Sequence, residues 1–103
     1  MNLAAIEVRE PMPGYRGKFV HGQGMSWAFW EVDQEAVAPV HHHPHEQIMK
    51  VVEGSFEFSL NGETAIYGPG DLVIIPANAP HGGKALTPCI LMDIFCPVRE
   101  DYQ

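Results

Sequence analysis

Apolar and polar residues alternate in short blocks through most of this chain, and Gly, Pro and Asn mark the breaks. Phe56-Glu57-Phe58-Ser59-Leu60 has the period of two that marks a half-buried strand. Asn61-Gly62 follows, the dipeptide that accepts positive φ at both central positions of a two-residue hairpin turn, and Thr64 to Tyr67 reads as the return strand. Gly68-Pro69-Gly70-Asp71 is the next turn. It leads into the β-branched run Leu72 to Ile75, which Pro76 ends, and Ala77-Asn78-Ala79-Pro80 turns the chain toward a further strand beginning at His81.

Two longer strands frame this region. Met25 to Val32 is β-prone through its aromatics, with Met25, Trp27, Phe29 and Glu31 on one face and Ser26, Ala28, Trp30 and Val32 on the other. Cys89 to Phe95 puts Cys89, Leu91, Asp93 and Phe95 on one face and Ile90, Met92 and Ile94 on the other. The first 24 residues carry weaker signals: a short strand at Ala4 to Val8, a loop at Pro11 to Gly14, a strand at Lys18 to His21 and a turn at Gly22 to Gly24. No segment keeps a helical period. Short strands with turn punctuation and no helix predict an antiparallel all-β barrel or sandwich.

Composition narrows the function classes. A chain of 103 residues is expected to form one domain. A net charge of −7 with only six Lys and Arg, none clustered, argues against nucleic acid and anionic membrane as partners, so an anionic small molecule has to be held by local positive charge. No apolar stretch approaches the roughly 18 residues of a membrane span, and the N-terminus lacks the pattern of a signal peptide, which predicts a cytoplasmic protein. Cys89 and Cys96 stand too far apart on one strand for a disulfide and are expected as free thiols. The strand Met25 to Val32 is largely apolar on both faces, and a barrel wall of that kind predicts a homodimer.

Candidate chemistry centres on His41 to Gly54. His41, His43, His45 and Gln47 share one parity, which in an extended strand places them on one face, and imidazole is the commonest ligand of divalent transition metals. His42 has the wrong parity. His81, delivered by the turn after Pro76, can join them from a neighbouring strand. Asp93 interrupts an apolar strand, where a carboxylate is costly unless it is paired, ligates a metal or faces a wet cavity. Arg99, on an irregular exit, either folds back over the barrel mouth or pairs with Glu100 or Asp101 at the surface. His45 reads either as a pocket-wall residue that orients a ligand or as a solvent-exposed side chain.

At these residues the sequence resembles the cupin superfamily, whose two motifs take the forms G-x5-H-x-H-x3,4-E-x6-G and G-x5-P-x-G-x2-H-x3-N. His41-x-His43-x3-Gln47-x6-Gly54 follows the first, with Gln47 in the glutamate slot, and Gly70-x5-Pro76-x-Asn78-x2-His81 follows the second, with Asn78 in the glycine slot and Ala85 in the asparagine slot. The string HPHEQ, the VVEG that follows it, and the tail from Leu91 to Asp101 are similar to small cupins of the KdgF family, which linearise 4,5-unsaturated uronates derived from pectin or alginate. The resemblance implies a double-stranded β-helix jelly roll, the cupin barrel, holding one divalent transition metal (Zn, Ni, Fe, Cu or Mn) through His41, His43, Gln47 and His81. It further implies Asp93 and Arg99 as catalytic residues acting on an anionic sugar, with Phe95, Arg99 and His45 contacting the substrate. Rival readings are another cupin enzyme, either a metal-dependent oxygenase or a polyketide cyclase, and a non-catalytic sugar-binding cupin.

Overall fold

Ten strands and two short 3-10 turns make up the computed structural model, which describes all 103 residues. The strands are β1 (Arg9–Met12), β2 (Tyr15–His21), β3 (Ser26–Val32), β4 (Val37–His41), β5 (Glu46–Glu53), β6 (Phe56–Leu60), β7 (Glu63–Tyr67), β8 (Leu72–Ile75), β9 (His81–Ala85) and β10 (Cys89–Cys96). They form two antiparallel sheets, a six-stranded one in the order β1-β2-β3-β10-β5-β8 and a four-stranded one in the order β4-β9-β6-β7. The strand pattern predicts such an antiparallel all-β sandwich, and the cupin resemblance implies this jelly roll.

The period-two faces decide what lies between the sheets. Ser26, Ala28, Trp30 and Val32 of β3 are buried, as are Cys89, Leu91, Asp93 and Phe95 of β10, and Met49, Val51, Phe56, Phe58, Val73 and Ile75 join them. Each large apolar side chain buried this way contributes about 1.5–3 kcal/mol. Gln47, Asp93, His43 and His81 are buried polar residues that lie together in this interior.

Turn chemistry holds where the sequence called for it. Asn61 and Gly62 adopt φ of 51° and 83° between β6 and β7. Cys89 and Cys96 are free thiols. The N-terminus differs from expectation: Leu3–Ala5 is a 3-10 turn capped by Asn2, and the strand begins at Arg9 and runs through Pro11 and Met12, where a loop was predicted. β1 is an edge strand paired only with β2, and its register shifts between Arg9 and Met12, so a proline without an N–H costs it no ladder bond.

Gly54, in the turn from β5 to β6, has φ of 91°, and a Cβ there would come within 2.3 Å of the Pro88 carbonyl oxygen and 2.8 Å of Cys89 Sγ. Gly54→Ala is therefore expected to lose at least about 2 kcal/mol of stability from backbone strain and clash together. Urea denaturation should show a lower midpoint with an unchanged slope; an unaltered midpoint would contradict the tight fit of this turn.

Candidate metal centre and adjoining cavity

Three imidazoles meet beside the connection from the four-stranded to the six-stranded sheet. His41, the last residue of β4, lies opposite His81, the first residue of β9, and their ring centroids are 4.4 Å apart. His43 reaches the same point from the bend between β4 and β5, with its centroid 4.8 Å from that of His81. One nitrogen from each of the three lies within 4.8 Å of the others. The parity argument does not describe how they converge, because residues 42–45 leave the extended conformation. His41 sits on the four-stranded sheet and Gln47 on the six-stranded one, so the bend carries the cluster across the gap between sheets. The Asn78 N–H donates to the His43 carbonyl at 2.7 Å and ties this bend to the turn that presents His81. Asn78, in the glycine slot of the second motif, has φ of 63°, and Glu35, six residues before His41 in the glycine slot of the first, has φ of 71°. The backbone shape is retained although the glycines are not.

The hydrogen bonds define which nitrogen of each ring is available. Nδ1 of His41 faces the Pro39 carbonyl at 2.8 Å, Nδ1 of His43 the His45 carbonyl at 3.0 Å and Nδ1 of His81 the Ala79 carbonyl at 2.8 Å. A carbonyl only accepts, so each Nδ1 carries the hydrogen and each Nε2 presents a lone pair. Burial, reinforced by Arg99, His81 and His41, holds His43 down at about 4, and burial likewise lowers His81. Neutral rings are the form that binds a cation.

Gln47 completes the arrangement. Its Oε1 lies 3.2 Å from His43 Nε2, while its Nε2 donates to Asp93 Oδ1 at 2.9 Å. The carboxylate of Asp93 settles the amide orientation, because the flipped form would oppose oxygen to oxygen. The carbonyl oxygen of Gln47 and the lone pair of His43 Nε2 thus face each other with no hydrogen between them, a contact that a shared cation relieves. This donor set fits a divalent ion, with His41, His43, His81 and Gln47 as the residues that would hold it.

Asp93 faces the same interior. Trp30 Nε1 donates to its Oδ2 at 3.0 Å, so both oxygens are held by fixed donors on opposite neighbouring strands. Burial pushes the Asp93 carboxyl up to about 6 against the lowering effects of Gln47, Trp30 and Arg99. A cavity of about 510 Å³ lies here, lined by His41, Gln47, His81, Asp93, Phe95 and Arg99, with an apolar floor that includes Met49 and Leu91.

Arg99 is buried at 6 % exposure. Both of its alternatives are realised together, since it folds back over the cavity and its Nε and Nη2 donate to Asp101 at 2.9 and 2.7 Å. The guanidinium lies 4.6 Å from the Phe95 ring centroid and 4.3 Å from that of Tyr102. His45 is not among the residues lining the cavity. Its ring bonds the Val98 carbonyl at 3.0 Å and so braces the segment that carries Arg99. The same segment is fastened by Ser26 Oγ, which accepts the Arg99 N–H at 2.8 Å, and by His21 and Arg9, which bond the Tyr102 carbonyl. Trp30, Asp101 and Tyr102 were not singled out for the site by sequence. Trp30 carried a signal of its own, an indole N–H on the inward face of a strand, which needs an acceptor when buried.

The cupin domain model matches residues 28–95, so the chain belongs to the cupin family. Within it, the chain is a small cupin resembling KdgF. It is 38% identical over 65 residues to the pectin degradation protein KdgF of Dickeya dadantii (strain 3937), a match spanning 62% of this chain and 59% of that protein. Among solved structures, KdgF from Halomonas sp. superposes with a TM-score of 0.89 at 34% identity, covering 94% of this chain and 91% of that one. An RmlC-like cupin from Shewanella frigidimarina NCIMB 400 gives a TM-score of 0.95 at 28% identity, covering 100% and 94%.

Metal content tests the centre directly. After loading with zinc or nickel and desalting, the protein should retain one equivalent by elemental analysis. His43→Ala should retain far less, and full occupancy in that variant would contradict the assignment.

Proposed function

We propose that this protein is an isomerase that opens 4,5-unsaturated uronate monosaccharides to linear 5-keto-4-deoxyuronates in the cytoplasm. The observation that supports it most is Asp93, a carboxyl with a raised pKa, held by two donors beside both the imidazole cluster and Arg99 in one cavity. The likeness to KdgF, which is named for pectin degradation, supports the choice of substrate class. A divalent ion held by His41, His43, His81 and Gln47 supplies Lewis-acid stabilisation of negative charge on substrate oxygens.

The protein's own groups account for the rest. Asp93, as carboxylate, takes the proton of the anomeric hydroxyl while the bond from C1 to the ring oxygen breaks. The C1 oxygen becomes an aldehyde and the ring oxygen an enolate on C5. Asp93 then returns the proton to C4, and the enolate becomes the C5 ketone. One proton moves and nothing is oxidised or reduced, so no redox partner is required. A raised pKa suits a group that must both accept and give back a proton.

Arg99 holds the substrate carboxylate. Asp101 occupies its Nε and Nη2, which leaves Nη1 and the second hydrogen of Nη2 for end-on bidentate contact. Phe95 offers an apolar wall to the sugar ring. His45 acts through Val98, keeping Arg99 over the cavity.

The assay is loss of the conjugated enol absorbance when metal-loaded protein meets an unsaturated monouronate. Asp93→Asn should reduce kcat by about a hundred-fold to ten-thousand-fold. Its amide sets one NH2 against a donor, so its melting temperature has to be followed alongside. Arg99→Lys should raise KM more than it lowers kcat, because an ammonium lacks the planar fork. Near-normal turnover by a folded Asp93→Asn would overturn Asp93 as the proton carrier, and no turnover by the metal-loaded wild type would favour a binding module.

A further inference from the structure

Tyr102, on the 3-10 turn Glu100–Tyr102, lines the cavity together with Asp93 and Arg99. Its backbone is tied at both ends. The N–H donates to the Arg99 carbonyl at 3.1 Å, and the carbonyl accepts from His21 Nε2 at 3.1 Å and from Arg9 Nη1. The ring is wedged as well: it stacks on Phe19 with centroids 4.6 Å apart, and meets Trp30 and Phe95 edge-on at 5.9 and 6.2 Å. The Arg99 guanidinium lies 4.3 Å from its centroid. The phenol at the far end of this fixed ring makes no hydrogen bond of ordinary geometry within the chain. His45 Nδ1 is the one sealed side-chain polar atom without a partner, so the Tyr102 oxygen is open rather than enclosed. A donor that is immobilised and uncommitted is preorganised for a ligand.

Burial pushes the phenol up from its ordinary value, and Asp101 and Asp93 add to this against the lowering effect of Arg99. At neutral pH it therefore keeps its hydrogen. Other donors around the cavity are spent: Trp30 Nε1 on Asp93, and Nδ1 of each clustered imidazole on a carbonyl. In a 4,5-unsaturated uronate the carboxylate carbon and the ring oxygen are both bonded to C5. Conjugation with the double bond keeps them in one plane, so one carboxylate oxygen always lies next to the ring oxygen. A donor beside the guanidinium that grips the carboxylate is thereby within reach of the ring oxygen. Given the proposed ring opening, on which this inference rests, we propose that Tyr102 is a further catalytic residue, whose phenol donates a hydrogen bond to the ring oxygen as it becomes the C5 enolate. The phenol keeps its proton throughout, and Asp93 carries the one proton that moves. As part of an enol ether the ring oxygen accepts weakly, and as an enolate it accepts strongly. The bond thus tightens while the bond from C1 breaks, which lowers the barrier and leaves KM nearly untouched.

Tyr102→Phe keeps the ring on Phe19 and Arg99 and removes only the hydroxyl. In the enol-absorbance assay with the metal-loaded full chain it should lower kcat by about ten-fold to a hundred-fold, less than the loss of an unshared oxyanion donor because Arg99 and a bound ion also face the charge. Its KM should stay within a few-fold of wild type and its melting temperature close to it. Tyr102→Ala also removes the ring that backs Arg99 and should raise KM in addition. Wild-type kcat in Tyr102→Phe would overturn the inference and leave Tyr102 only the packing of Arg99. A raised KM with unchanged kcat in that variant would overturn it too, by placing the phenol on the substrate carboxylate. No turnover by the wild type would remove the uronate reading itself, and this inference with it.

Discussion

The amide of Gln47 is shared between two chemistries, and the geometry of the site follows from that sharing. Its oxygen faces the lone pair of His43 Nε2 and its NH2 donates to Asp93. An amide does this without added charge, whereas a carboxylate at position 47 would set oxygen against Asp93 at hydrogen-bond distance unless one of the pair took up a proton. Glutamine in the glutamate slot of the cupin pattern thus suits a site in which a second carboxyl, on β10, occupies the neighbouring place. Gln47 pairs in register with Phe95 and Leu91 pairs with Trp30, so Asp93 lies diagonal to both Gln47 and Trp30, within reach of long side chains. A central β10, flanked by β3 and β5, is what allows both donors to reach one carboxylate.

Positive charge is concentrated where an otherwise acidic molecule needs it. Arg99 is the one buried Lys or Arg, and its charge is partly met by Asp101 while the rings of Phe95 and Tyr102 both lie beside its guanidinium. Four separate bonds, from His45, Ser26, His21 and Arg9, fasten the segment that carries it. An arginine fixed this firmly loses little side-chain entropy when it meets an anion.

The period of two in β3, β6 and β10 made the inner faces legible, and the spacing of the histidines made the centre legible. The reason for their convergence was not, because parity describes a straight strand and residues 42–45 bend between sheets. Positive φ at Glu35 and Asn78 stays hidden in a sequence that lacks the expected glycines, although asparagine tolerates that region. The bonds of Trp30 and His21 run to partners 63 and 81 residues away, and no local pattern announces contacts at that range. At the N-terminus, weak alternation and two prolines misplaced the first strand by several residues, as an edge strand constrains its sequence least.

The central claim is that one divalent ion is held by three imidazoles and the Gln47 amide, with Asp93 held back from it by that same amide. X-ray absorption at the edge of zinc or nickel in the loaded protein measures this set directly. The account predicts three imidazole nitrogens, all bound through Nε2, and an oxygen contribution that diminishes in Gln47→Ala. A spectrum that needs fewer than three imidazoles, or whose oxygen contribution disappears in Asp93→Asn and persists in Gln47→Ala, would contradict it.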